Sequence, residues 1–102
     1  MPTVSPELQQ YLQFNAGRFS FNVLEAISEE DGRTAYSVAF FIADIQKPIP
    51  EVVLFTFYQA ADGSLCFSTE NNRYRYNADD FPEGGFLKIL EFQYRIKTEV
   101  KT

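Results

Sequence analysis

The residues of this chain that could do chemistry are few, and histidine is missing altogether. With it go the commonest general base near neutral pH, the serine–histidine and cysteine–histidine nucleophile pairs, and most zinc and copper sites. The lone cysteine, Cys66, alternates with Leu65 and Phe67 and so faces away from them; it can form no internal disulfide and reads as an inert thiol. Carboxylates remain. Glu29, Glu30 and Asp31 form one acidic run and Asp79-Asp80 another, and a hard cation such as calcium accepts oxygen ligands from such places. The EF-hand spacing is absent, however, and turns collect acidic residues because they are wet. Gly84-Gly85 has neither a Walker lysine nor a three-glycine dinucleotide pattern around it, so no phosphate cradle is expected. From this inventory we expect no cofactor, no metal and no enzymatic activity.

The most unusual patch is Arg73-Tyr74-Arg75-Tyr76. In an extended strand, alternation places both guanidinium groups on one face and both phenols on the other. Arginine and tyrosine are the residue types that dominate binding hot spots. The patch also lies where the charge balance changes: residues 73–102 carry 6 basic and 5 acidic side chains, residues 1–72 carry 3 and 9. The blander reading is an ordinary strand whose tyrosines enter the core and whose arginines balance acids across the sheet. We take Arg73, Tyr74, Arg75 and Tyr76, with Asp79 and Asp80 beyond them, as the candidate interaction residues.

The elements that must position these residues follow from the patterning. Ser5-Pro6-Glu7 starts a helix, with a hydroxyl cap, a proline at the first helical position and a carboxylate near the positive end of the dipole. Leu8, Tyr11 and Leu12 continue it at helical spacing, and Asn15-Ala16-Gly17 stops it. So short a helix is not stable alone and must dock on something. From Phe19 the period becomes two, with Leu24 breaking the alternation as a bulge would. Glu29 to Arg33 holds an Asp-Gly hairpin signal, and the next strand sets Tyr36, Val38, Phe40 and Ile42 against Ala35, Ser37, Ala39, Phe41 and Ala43. The small-residue face invites close packing, for which the N-terminal helix is the available partner.

Lys47-Pro48-Ile49-Pro50 is a stiff connector that cannot join a ladder at its prolines. Val52 to Tyr58 is apolar at nearly every position and therefore reads as the central strand, asking for cover on both faces. Asp62-Gly63 and Asn71-Asn72 turn the chain twice more, and Asn77 to Gly85 is the longest loop. Beyond it Leu90, Phe92, Tyr94 and Ile96 alternate with Glu91, Gln93, Arg95 and Lys97, which predicts a strand. A helix there would pair Glu91 with Arg95 and stack Phe86, Ile89, Leu90 and Ile96, but would leave Phe92 on a polar face. The expected fold is α+β: a short N-terminal helix followed by a curved, five- to six-stranded antiparallel meander, one layer of helix on sheet, in a single domain spanning residues 1–102.

Composition narrows the function classes. The chain is 45% apolar and 17% aromatic, enough for a ring-rich core, with a net charge of −5 that repels phosphate backbones, so no nucleic acid is expected as a partner. The longest apolar run, Val38 to Ala43, is far short of the roughly 20 residues that span a bilayer, and no membrane association is expected. No basic and apolar leader opens the sequence, which with the single cysteine points to the cytoplasm. One short helix cannot cover both faces of the central strand, so either curvature, a helical C-terminal segment or another chain must complete the cover. The leading expectation is a non-enzymatic interaction protein, an adaptor, inhibitor or assembly factor, binding another protein or itself through a sheet face or edge. One alternative is a small-ligand-binding or carboxylate-using enzyme domain with a pocket between helix and sheet and the Asn77 to Gly85 loop as lid. Another is an acidic nucleic-acid mimic, which requires a continuous stripe of carboxylates.

Overall fold

A computed structural model describes residues 3–17, 19–43, 48–70, 72–81 and 84–99, with backbone alone at 72, 73 and 97–99. Helix α1 (Pro6–Ala16) is followed by strands β1 (Ser20–Ser28), β2 (Thr34–Ile42), β3 (Glu51–Gln59), β4 (Leu65–Thr69) and β5 (Asn72–Asn77), a 3-10 turn at Ala78–Asp80, and helix α2 (Gly85–Glu99). The strands form one antiparallel sheet in sequence order, β1 to β5, so every pairing is between neighbours along the chain. This is the α+β meander that the patterning predicts.

Local chemistry explains most of the boundaries. The Ser5 hydroxyl accepts the Leu8 amide at 3.2 Å and Pro6 occupies the first turn of α1, as the start signal requires. Leu24 is the bulged residue of β1, where the register with β2 shifts between Val23 and Glu25. The two Asp-Gly hairpins are built alike. The Glu29 amide donates to the Arg33 carbonyl and the Ala60 amide to the Ser64 carbonyl; Gly32 and Gly63 take φ of 80° and 90°. In each loop the aspartate before the glycine accepts a backbone amide, Asp31 from Arg33 and Asp62 from Ser64. Pro48 to Pro50 stay out of the sheet; Lys47 and the three residues before it, like Asn71 of the last turn, lie outside the described residues.

The core lies on one face only. Val38 and Phe40 of β2, Val53, Phe55 and Phe57 of β3 and Phe67 of β4 point to the same side, where Leu8 and Leu12 of α1 and Phe86 and Leu90 of α2 meet them, all essentially without exposure. Phe86 is the hub. Its ring centroid lies 5.1 Å from Phe55, 5.3 Å from Phe67, 5.5 Å from Phe40, 5.8 Å from Phe57 and 5.9 Å from Tyr11. Tilted and edge-on rings at these separations add to the burial of their area.

Three expectations are corrected. The segment expected as a final strand is α2, so the sheet has five strands, the lower end of the expected five to six; the buried positions of α2 are Phe86, Leu90 and Gln93, at helical spacing, and Phe92 is 60% exposed. The small-residue face of β2 does not receive α1, because Leu8 and Leu12 pack on the Tyr36, Val38 and Phe40 side, where the large apolar groups offer far more area to bury. The stretch from Asn77 to Gly85 is not one open loop. Asn77 Oδ1 accepts the Asp79 amide at 3.0 Å and caps the 3-10 turn, and Gly85 already belongs to α2.

Candidate functional site

Because both helices use the same face of the sheet, the opposite face is left open among the described residues. It comprises Asn22, Leu24, Glu25 and Ile27 of β1, Ala35, Ser37, Ala39 and Phe41 of β2, and Val52, Leu54, Thr56 and Tyr58 of β3. Cys66 and Ser68 of β4 and Arg75 of β5 complete it. Leu24, Ile27 and Leu54 are exposed, Phe41, Val52, Tyr58 and Cys66 are half-buried, and Ala39 and Ser68 are buried between their neighbours. Of the three ways to complete the cover of the central strand, the helical C-terminal segment is present, but it joins α1 on the same side. On the second face of Val52 to Tyr58, no described helix packs: Leu54 is exposed, Val52, Thr56 and Tyr58 are half-buried, and Arg75 lies over Tyr58.

The predicted patch on β5 is divided by the alternation. Arg75 lies on the open face, its guanidinium carbon 3.9 Å from the centroid of the Tyr58 ring, a cation–π arrangement. Tyr76 turns into the core and stacks on Phe67 at 5.4 Å, while Tyr74 lies edge-on to it at 4.9 Å and is largely exposed. The side chain of Arg73 lies outside the described residues. Asp79 and Asp80 are not near the open face at all; they are exposed on the 3-10 turn, at the end of the sheet. Alternating strand directions bring the β1–β2 turn, the β3–β4 turn and this 3-10 turn to one end, so Glu29, Glu30, Asp31, Asp62, Asp79 and Asp80 collect there. The Arg33–Asp31 ion pair, at 3.2 Å, supplies a cation at that end.

At this end an open groove of about 570 Å3 runs between α1, the β3–β4 turn and the 3-10 turn. Glu7, Tyr11, Phe14 and Asn15 line it from α1, and Asp62, Leu65 and Asp79 from the other side. The Tyr11 hydroxyl donates to the Phe81 carbonyl at 3.2 Å, and burial, with the Asp79 charge nearby, raises its pKa well above the usual tyrosine value. The Ser64 amide at 2.9 Å and hydroxyl at 2.7 Å donate to Asp62 Oδ1 and hold its carboxyl below the usual range. Ala78 and Asp79 of the expected lid segment line the groove, and residues 82 and 83 of that segment lie outside the described residues. No group of three histidine, cysteine, aspartate or glutamate side chains among the described residues is placed to hold a metal ion. No helix of the described residues is long and apolar enough to cross a membrane. The sequence singled out Asp79 but missed the other groove residues, which come from separate segments and share no motif.

Comparison with protein-family models, with curated proteins and with solved structures finds no match to this chain, so its functional reading rests on the two surfaces just described.

Proposed function

We propose that this protein is a protein–protein interaction module that docks through the open face of its sheet, and that the occupant of that face is a second copy of the chain. The observation that carries the proposal is the one-sided placement of α1 and α2, which leaves Leu24, Ile27 and Leu54 exposed around a row of small residues in β2. Ala35 and Ser37, half-buried and small, allow the close approach that two stacked sheets need, about 10 Å between backbones, while Ala39 is already covered by its neighbours.

The charges of the face favour self-docking. Glu25 pairs with Ser37, Ser37 with Thr56 and Thr56 with Ser68, and Arg75, two residues before the partner of Cys66, falls beside Ser68. An acid and a base thus stand at opposite ends of one cross-sheet row. A two-fold axis parallel to the strands lays β1 of one copy over β5 of the other, so that each Glu25 meets an Arg75. Such an interface is isologous, the commonest kind in soluble oligomers. The expectation of an acid enclosed in a pocket, which a carboxylate-using enzyme needs, has no support here: every described aspartate and glutamate is exposed except the half-buried Glu51. A mimic's continuous acidic stripe has none either, since Glu51 and Glu70 stand at the other end of the sheet from Asp62 and Asp79.

Light scattering coupled to size exclusion tests the proposal, with a dimer of twice 11.8 kDa expected. Glu25→Arg and Arg75→Glu should each weaken the dimer about tenfold or more, and the double exchange should restore it, because close interfacial charge pairs couple by about 1.5 kcal/mol or more. A strict monomer at high protein concentration, or a double exchange no better than the single ones, would refute self-docking.

A further inference from the structure

We infer that the groove at the acidic end of the sheet is a second binding site, separate from the open face, that takes a lysine- or arginine-bearing peptide segment of a partner protein. Its chemistry is one-sided. Glu7, Asp62 and Asp79 supply three carboxylates, and no lysine or arginine among the described residues lines it. Tyr11, Phe14 and Leu65 supply apolar and aromatic wall, with Phe14 74% exposed at the edge. A cationic head on an apolar stem fits both features: the methylenes lie along the rings, and the head meets carboxylates and ring faces.

Asn15 gives an independent indication. It is only 6% exposed, it forms part of the groove wall, and its Nδ2 donates to the Tyr11 carbonyl at 3.0 Å. Its Oδ1 is buried with no donor. A buried acceptor without a partner is unfavourable by itself, and such groups are normally satisfied in native proteins. An ammonium, a guanidinium or a peptide N–H would satisfy it, whereas an anion would add a further acceptor. The three carboxylates come from three different segments and do not converge as metal ligands would, which suits an extended, multiply donating ligand better than a bare ion. The other carboxylates at this end, Glu29, Glu30 and Asp80, add a field that steers a basic segment toward the groove. The groove is open to solvent among the described residues, so a segment of chain can enter it, and a small shift of the side chains around Asn15 would bring its Oδ1 within reach.

The probe is a short peptide of alternating leucine and lysine, with its glutamate counterpart and free butylamine as controls, titrated into the full chain and followed by amide chemical shifts. Saturable shifts are expected at Gln10, Tyr11, Phe14, Ser64 and Asp79 with the lysine peptide alone. Asp62→Asn and Asp79→Asn together should weaken it about tenfold, and raising the ionic strength from about 0.05 to 0.5 M should weaken it further. Asparagine at 62 keeps the oxygen that accepts from Ser64, so the turn survives and an unchanged melting temperature verifies it. No saturable binding, shifts centred on the open face, or affinity indifferent to both substitutions would overturn the assignment. Butylamine binding as tightly as the peptide would overturn the peptide as occupant. Glu25→Arg, which breaks the proposed dimer, should leave peptide binding unchanged, so failure of either surface is read separately from the other.

Discussion

Replacing Phe86 by alanine removes the ring on which the two helices and three strands converge. The side chain has no exposure, and its five ring neighbours come from α1, β2, β3 and β4. Truncations of buried phenylalanines cost about 3–5 kcal/mol, the larger values arising where the surroundings cannot collapse into the space. Here the neighbours are held by an unbroken β2–β3 ladder from Thr34–Gln59 to Ile42–Glu51, so collapse is restricted and about 4 kcal/mol is expected. Against a total stability of about 5–15 kcal/mol this is a large fraction. With a urea dependence of about 2 kcal/mol per molar, the unfolding midpoint should fall by about 2 M. Phe92→Ala, on the same helix but on an exposed ring, should change stability by less than about 0.5 kcal/mol. Urea titrations followed by circular dichroism measure both. If Phe92→Ala were as damaging as Phe86→Ala, the residues would share a buried strand face after all, and the helical packing described above would be refuted.

Two further perturbations address the sheet end. Tyr11→Phe loses the hydroxyl that donates to Phe81 and should cost about 1 kcal/mol at neutral pH. Burial raises the Tyr11 pKa in the folded state, so its contribution is intact below the ordinary tyrosine value of about 10 and is lost as pH rises beyond it. Stability of the native chain should therefore fall more steeply above pH ~10 than that of Tyr11→Phe, and equal alkaline slopes would count against the burial. Gly32→Ala forces a side chain into a φ of 80° and should cost about 1 kcal/mol with no loss of packing, as nothing lies near the added carbon. Thermal melts check it, and a neutral result would mean the turn has another geometry.

What could be read from the sequence was what is decided locally. The cap at Ser5, the bulge at Leu24 and the two Asp-Gly turns each depend on a few adjacent residues, and each is found where the pattern puts it. The C-terminal helix was hidden by two residues acting in the same direction. Gln93, a polar side chain, is buried, which breaks the apolar stripe of Phe86 and Leu90; Phe92, an apolar one, is exposed, which completes a false alternation with Leu90, Tyr94 and Ile96. Burial of Gln93 is a tertiary outcome that no period rule carries. The one-sided use of the sheet was half legible: the doubly apolar strand at Val52 to Tyr58 implied that cover was needed, but not which face α1 and α2 would share. Of the candidate interaction residues, Arg75 reaches the open face and Asp79 reaches the groove, while Tyr76 is part of the core. Their dispersal follows from strand alternation and from the turn at Asn77, where β5 hands over to the sheet end.

The register shifts have a bearing on how this chain behaves when crowded. They fall in the two outermost ladders, between Val23 and Glu25 in β1 and between Phe67 and Thr69 in β4 against β5, whereas the two inner ladders run without interruption. An edge strand with a straight row of unpaired amides and carbonyls recruits further strands and seeds fibrils; a bulged one, twisted away and bearing charged arginines as β5 does, is a poor template. Growth by strand addition is thus discouraged at both margins of a sheet whose inner ladders are uninterrupted. Rims so built lower the hazard of amyloid whatever occupies the broad side of the sheet.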